Sequence, residues 1–588
     1  MDIRKTGLLA LIAAVPLIAV LPLPDFWITQ LNYIGLYSLT CLGLVLLTGV
    51  GGLTSFGQAA FVGIGAYTTA WFTLNMDLSP WLTLFIGLGF TAVSALVVGV
   101  ITLRMSGHYL PLATIAWGLS LYYLMGNIDA LGKYDGLLGL KSLSIGGFDI
   151  GQGRAFFVLT WAILIAGALG LLNLLDSRAG RAIRSLKTGS QMAEAMGIST
   201  FRYKVTVFVI AALFASVAGW LLAHFQRTVN PSAFGLKMGI EYLFMAVVGG
   251  IGHVWGALVG AGLIKLMDDQ LQVLLPKLIG TSGSYEVIVF GVLLVLVLKY
   301  LPDGLWSLVG AKLPRRRRAV DWGDAPALPE RAKPAQGELV LDVARIRKQF
   351  GGLTAVNDIT FQIRAGQIVG LIGPNGAGKS TTFNLVTGVL PLTSGAVRFC
   401  GETISGLASR AISGKGMART FQHVKMIPDM TVLENVALGA HGRGGKGVLA
   451  AMLRGNRAEE QRLFKEAQRQ LERIGMGEYL HEQAGNLAMG PQRLMEIARA
   501  LCADPALLLL DEPAAGLRHK EKQALADVLR QLKAEGMSIL LVEHDMDLVM
   551  QICDHLVVME FGTLLTEGTP EEIQQNPKVR AAYLGTEH

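Results

Sequence analysis

Charge is scarce in this 588-residue chain, with 16% Asp, Glu, Lys and Arg against 52% hydrophobic residues. Soluble domains average about 25% charged residues, so the whole chain is not an ordinary water-soluble enzyme. The scarcity is uneven. Residues 1–310 hold 17 Lys/Arg and 13 Asp/Glu, whereas residues 311–588 hold 34 and 31, an ordinary soluble density. Cysteine is scarce as well. Cys41, Cys400, Cys502 and Cys553 share no short spacing, which excludes both a disulfide scaffold and a CxxC zinc site. The formal net charge of +7 does not form a nucleic-acid surface. Four arginines stand in one run, Arg315 to Arg318, and most of the remaining excess flanks apolar segments. That distribution belongs to a cytoplasmic membrane face and excludes nucleic acid as a partner.

What the first half does have is long apolar runs. A bilayer core takes about 20 apolar residues per helix. Runs of that kind fall near 7–23, 28–48, 56–74, 82–103, 109–126, 155–175, 204–224 and 285–301. Arg4 and Lys5 precede the first run as in a signal peptide, but no small-residue cleavage site follows, so it reads as a transmembrane helix. The stretch 236–267 is interrupted by Gly249, Gly250, Gly252 and His253. Arg4, Lys5, Arg104 and the basic loop 176–204 fall on one side of the membrane. With the second half on that same cytoplasmic side, parity requires 236–267 to pass twice, as a short hairpin folded at the glycines. Ten membrane segments are expected, two of them short.

Residues 311–337 carry Pro314, Pro326, Pro329, Pro334 and the arginine run, the composition of a linker that can lie on anionic lipid. Drawn out as polyproline II it would reach roughly 80 Å, so the domain after it need not dock beneath its own helices. From 338 onward short apolar strands alternate with amphipathic helices, which predicts an α/β domain with a largely parallel sheet and a helical subdomain. The domain boundaries read 1–310, 311–337 and 338–588.

Two strand-like runs lead into chemistry. Ile368–Ile372 precedes Gly373-Pro374-Asn375-Gly376-Ala377-Gly378-Lys379-Ser380-Thr381, a phosphate loop. Its glycines let backbone N–H groups curl around phosphates, and the helix that follows directs its positive end at them. Lys379 would meet the outer phosphates of ATP and Ser380 would ligate Mg²⁺. The second run, Leu507–Leu510, ends in Asp511 and Glu512. A strand-end pair of this kind can hold Mg²⁺ through Asp511, while Glu512 orients or deprotonates an attacking water.

In this order and spacing, residues 338–588 resemble the ATPase subunit of an ABC transporter. The resemblance implies further roles. Phe350 would stack on adenine, Gln422 would sense Mg²⁺, the water and the membrane partner, and His544 would reach the γ-phosphate. Leu487-Ala488-Met489-Gly490 stands where the signature sits, serving ATP held by a facing domain. Two departures are visible. The commonest signature is Leu-Ser-Gly-Gly-Gln, whereas here Ala488 lacks the hydroxyl and Pro491 replaces glutamine. The loop 515–518 ends in Arg518, where Asp or Asn is usual. A working ATPase with one weakened composite site is expected.

The membrane half resembles permeases of high-affinity branched-chain amino acid uptake systems through residues 51–61, 107–110 and 249–256. Importers of urea and other amides share these features. The glycines serve close helix packing first and substrate contact second. Gln58, a polar residue within an expected span, is a candidate for the substrate path. Loop 187–204, with Ala193, Glu194, Ala195 and Gly197, resembles the coupling segment of ABC importers, and an inert basic connector is the alternative. The resemblance implies one half of an ATP-driven importer in a bacterial inner membrane. A second permease and a second ATPase subunit, or a second copy, would complete it, and an extracytoplasmic solute-binding protein would deliver a small molecule. Short loops before 311 disfavour an exporter, and Glu512 disfavours a channel with a regulatory ATP domain.

Overall fold

The computed structural model describes residues 3–105, 109–279, 286–310, 322 and 324–584. Gly107 and His108 of the 107–110 motif, and the run Arg315–Arg318, lie outside the described residues. The chain forms two compact units that do not follow a single cut in the sequence. One comprises Met1–Asp176, Phe201–Arg317 and Val448–Arg454; the other comprises Ser177–Thr200, Arg318–Gly447 and Gly455–His588.

The first unit is helical: α1 (Ile3–Val20), α2 (Asp25–Leu44), α3 (Gln58–Asn75), α4 (Pro80–Thr102), α5 (Tyr109–Asn127) and α6 (Gly153–Leu175). After α7 (Arg178–Thr188) and α8 (Ser190–Ala195), which belong to the second unit, come α9 (Thr200–Gln226), α10 (Leu236–Gly250), α11 (Val254–Ile279), α12 (Glu286–Tyr300) and α13 (Leu305–Gly310). Each expected apolar segment carries a helix. By length and composition alone, four helical stretches among the described residues are sufficient to cross a membrane: Asp25–Val50, Pro80–Thr102, Gly153–Leu175 and Thr200–Gln226. A fifth is reached if α10 and α11 count as one broken span; they meet at a bend of 117° across 251–253, at the interruption expected from Gly249, Gly250, Gly252 and His253. The glycines here serve close approach. A Cβ on Gly249 would lie 1.9 Å from the Gly256 carbonyl oxygen, and one on Gly260 would lie 1.8 Å from that of Met245. Small residues that let helix backbones touch are the usual means of packing in lipid.

The second unit is built on two sheets. Strands β1 (Leu339–Phe350), β2 (Leu353–Arg364), β4 (Ser394–Phe399) and β5 (Glu402–Thr403) form an antiparallel sheet in the order β2-β1-β4-β5. The other sheet contains β3 (Ile368–Ile372), β6 (Met417–Arg419), β7 (Leu507–Asp511), β8 (Ser538–Val542), β9 (His555–Glu560) and β10 (Thr563–Gly568), ordered β6-β7-β8-β3-β9-β10. Its first five strands are parallel and β10 closes the edge antiparallel. β3, β7 and β8 are buried at every residue, which explains their unbroken Ile, Leu and Val runs: parallel strands are covered on both faces. The register pairs Asp511 with Val542 and Val542 with Leu371. The loops after β3, β7 and β8 therefore leave the same edge of the sheet side by side, the edge where open parallel sheets bind ligands.

The helices of this unit include α14 (Lys379–Val386), α15 (Ser409–Lys415), α16 (Val432–Ala437), α18 (Arg457–Arg473), α19 (Met489–Leu501) and α20 (His519–Ala534); α17 (Val448–Met452) lies with the first unit. The described part of the linker is docked on the second unit. The Trp322 ring stacks on Phe464 at 5.4 Å and 14°, Leu328 is buried, and the Pro329 carbonyl accepts from Arg443 at 2.9 Å. From 324 onward the segment thus packs against this unit.

Candidate functional site

The phosphate loop hangs between β3 and α14. Gly373 and Gly378 have φ of +150° and +94°, and a Cβ would lie 2.1 Å from the Met559 carbonyl oxygen at the first and 2.6 Å from that of Ala355 at the second. Only glycine satisfies both the dihedral and the space there. Lys379 is buried, and its ammonium donates to the carbonyls of Gly373 at 2.7 Å and Pro374 at 3.0 Å. Burial holds its pKa below the ordinary lysine value, against the attraction of Glu512 and Asp511. Ser380 and Thr381 follow in the first turn of α14, where uncapped N–H groups favour an anion. Phe350, at the end of β1, keeps its ring exposed, with Lys348 Nζ 5.0 Å from the ring centroid.

Asp511 and Glu512 sit where β7 leaves the sheet. Asp511 is 5% exposed, and its Oδ1 is buried without a hydrogen-bond partner. Burial pushes its pKa from 3.8 up to about 6, opposed by Arg419 and reinforced by Glu512. A buried carboxylate oxygen with nothing to accept from is what a divalent cation would occupy. Glu512 takes φ of +47° as the chain turns off the strand. Its Oε2 accepts from Gln422 Nε2 at 2.9 Å and lies 4.0 Å from His544 Nδ1. His544 is 58% exposed at its side chain. The structure thus brings Gln422, Glu512 and His544 into one group, although they are separated by up to 122 residues in the sequence.

Several residues of this site escaped the sequence reading. Fully buried Glu543 accepts from the backbone N–H groups of Ala514 at 2.7 Å and His544 at 3.0 Å, tying the loops after β7 and β8 together. Arg493 on α19 donates to the carbonyls of Phe421 at 2.9 Å and Gln422 at 2.6 Å. Next to it, Glu496 accepts from Lys425 N at 3.0 Å while Arg499 donates to Lys425 O. The signature helix therefore grips the Gln422 loop directly. Arg419 donates to Asn384 at 3.0 Å and Thr387 at 2.7 Å, with its guanidinium 4.7 Å from the ring centroids of both Phe383 and Phe421. Buried charges next to a glutamine were the only available signal, and their partners are too distant in sequence to pair by spacing.

Ala488 is the N-cap of α19 and provides no side-chain cap; Leu487 is buried and Met489 exposed. A Cβ on Gly490 would lie 2.8 Å from Glu521 Oε1, while Glu521 Oε2 accepts from Arg518 N at 2.8 Å. The two unusual segments, 487–491 and 515–518, thus meet through one carboxylate. In the 187–204 segment, Ala193 is buried, Glu194 accepts from Thr200 Oγ1 at 2.8 Å, and Gly197 has φ of +80° with Gly442 Cα 3.9 Å from its Cβ position. α8 packs on α15, and α7 on the turn 438–443. Arg178 at the start of α7 donates to His441 O at 2.8 Å and Lys446 O at 2.7 Å and pairs with Glu459 at 3.2 Å. Arg181 pairs with Glu460 at 2.8 Å and lies over the Phe464 ring. The hydrogen bonds and ion pairs of Arg178 and Arg181 thus run to the turn 438–446 and α18, while α8 packs on α15.

A parallel-sheet ATPase core with a phosphate loop, strand-end carboxylates and a signature helix defines an ATP-binding cassette. The comparisons with known proteins agree. The ABC transporter family model matches residues 356–515, the permease component of branched-chain amino acid transport systems matches 27–298, and the branched-chain amino acid ATP-binding cassette transporter model matches 563–588. The high-affinity branched-chain amino acid transport ATP-binding protein BraF of Pseudomonas aeruginosa is 43% identical over 249 residues, which is 42% of this chain and 98% of that protein. LivG of Escherichia coli, with the same description, is 44% identical over 250 residues, again 42% of this chain and 98% of that protein. A solved nucleotide-free ATP-binding cassette from an ABC transporter is 31% identical, covering 42% of this chain and all of that one at a TM-score of 0.38. The chain belongs to the branched-chain amino acid ABC transport family, and it joins a permease component and an ATP-binding component in one polypeptide.

Proposed function

We propose that this chain is the permease–ATPase half of an importer that moves branched-chain amino acids inward across a bacterial inner membrane at the expense of ATP. The observation that carries the reading is the convergence of Gln422, Glu512 and His544 beside Lys379 and Asp511. ATP would lie on 373–381 with its adenine on Phe350. Ser380, Asp511 and Gln422 would hold Mg²⁺, a set that the unpartnered Asp511 Oδ1 fits. The ion, when bound, spreads the charge that develops on the phosphates. Glu512, held by Gln422, would take the proton of the attacking water, and His544 beside it would contact the γ-phosphate. Gly490 on α19 serves ATP on a facing domain, so a second ATPase and a second permease, or a second copy, complete the machine.

Ten membrane segments within 1–310 place the 177–200 segment and the ATPase domain on the cytoplasmic side. A solute-binding protein delivers substrate from the other face. The decisive experiment reconstitutes the chain with its partner subunits and binding protein in liposomes. ATP hydrolysis and uptake of leucine should both rise with liganded binding protein. Uptake of urea in place of leucine would move the substrate to the amide class, and a hydrolysis rate indifferent to binding protein would favour a regulated channel.

A further inference from the structure

We propose that the break between α2 and α3 holds the charged ends of the transported α-amino acid, with Gln58 as its ligand; this rests on the importer reading above. α2 runs on as a π-helix over Val45–Val50, and the chain then leaves helical geometry until α3 begins at Gln58. π-segments and interrupted helices concentrate at functional sites, and interrupted membrane helices present their N-termini to anionic substrate groups. The N-terminus of this 18-residue helix is capped by no side chain. Two hydroxyls nearby are otherwise engaged: Thr114 Oγ1 accepts from Phe56 N at 3.2 Å, and Ser55 Oγ accepts from Gly57 N at 3.3 Å. Gln58, Ala59 and Ala60 are 1%, 2% and 3% exposed, so the first turn does not reach water.

The second observation is Gln58 itself. Both its Nε2 and its Oε1 are buried without a hydrogen-bond partner. Gln30 Oε1, Asn32 Oδ1 and the Tyr67 and Thr160 hydroxyls of the same unit also lack a partner, but among its described residues Gln58 alone has both side-chain polar atoms unpaired; His224, equally enclosed, meets Thr69 at 2.8 Å and the Lys141 carbonyl at 2.9 Å. A buried amide left wholly unpaired bears its full desolvation penalty, and a bound ligand is one way to relieve it. The chemistry suits a zwitterion. Nε2 and the positive end of α3 take a carboxylate, and Oε1 takes an ammonium. A neutral amide such as urea gains nothing from the helix end. Glycine lets α10 approach the backbone of the break, since a Cβ on Gly239 would lie 2.3 Å from the Phe56 carbonyl oxygen.

The test uses the full chain reconstituted with its partner subunits and binding protein, with labelled leucine as the probe. Gln58→Leu removes both polar atoms at similar volume. It should keep or raise the thermal midpoint and keep ATP hydrolysis without binding protein, while leucine uptake falls at least tenfold. Gln58→Glu should lose uptake at least as far, by repelling the carboxylate. Wild-type uptake by Gln58→Leu overturns the proposal, whatever its stability. So does a parallel fall of midpoint and uptake in both Gln58→Leu and Gln58→Met, which would mark the amide as a structural group bridged by water. A wild-type chain that hydrolyses ATP and carries urea but not leucine would instead overturn the amino acid reading, and this site with it.

Discussion

At the scale of single residues, Asp511 and its neighbour Glu512 do different work because their surroundings differ. Asp511 is buried at a strand end and has its pKa pushed to about 6, whereas Glu512 turns outward to Gln422 and His544. In the metal-free protein the folded state holds the Asp511 proton more tightly than the unfolded chain. Its contribution to stability is therefore fully present below about pH 3.8 and is lost as the pH rises through about 6. Mg²⁺ needs the ionised form, so Mg²⁺ affinity should fall about tenfold per unit below pH 6. Thermal midpoints with and without Mg²⁺ from pH 5 to 8 check this, and Asp511→Asn should flatten both dependences. For Glu512→Gln, the amide keeps shape and cannot accept the proton of water. Turnover should drop by roughly 100-fold or more with ATP binding retained, measured as hydrolysis against nucleotide binding on the same preparation. Near-normal hydrolysis would take Glu512 out of the mechanism.

At the scale of elements, two helices are informative. α19 starts at Ala488 without a capping side chain. Ala488→Ser supplies a hydroxyl to the first turn and should stabilise the protein by about 1 kcal/mol, read as a rise in denaturation midpoint. It should also strengthen the composite ATP site, and a variant no more stable than the parent would mean that the first turn of α19 has other partners. α7 is anchored by charge. Arg178 and Arg181 meet Glu459 and Glu460, and Arg178 also satisfies two carbonyls. Arg178→Ala removes the guanidinium from the His441 and Lys446 carbonyls and from Glu459, which keeps only its bonds to Gly445 N and Lys446 N. The destabilisation should approach about 3 kcal/mol, with uptake and stimulated hydrolysis lost while basal hydrolysis persists. Preserved stimulation would show that the connection between transport and hydrolysis lies outside α7. Gly197 is a poorer probe, since its φ of +80° strains any side chain whatever the segment does.

At the scale of the whole molecule, the unusual segments 487–491 and 515–518 predict unequal ATP sites. In the proposed assembly Pro491 and Ala488 would leave fewer polar groups on the surface that meets a facing phosphate loop, and Glu521 lies between that segment and Arg518. Vanadate-trapped nucleotide should approach one per assembled transporter, measured with radiolabelled ATP. Equal occupancy, together with equal effects of substitutions at both sites, would remove the asymmetry.

The phosphate loop, the strand-end carboxylates and the parallel sheet were legible in the sequence because each is local. A strand, a glycine-rich turn and a helix start follow one another within about 15 residues, and burial on both faces writes itself as an unbroken apolar run. The apolar helices and the break at 249–253 were legible for the same reason, since 20 residues contain the whole signal. What the tertiary structure decided is what joins distant segments. Glu543 between two loops, Arg493 on the Gln422 carbonyl, the docking of 324–337, and the grouping of 177–200 with the ATPase depend on partners far apart in sequence. A buried charge announces that it needs a partner, but its spacing does not say which one. Only the sheet register and the helix packing bring the two together.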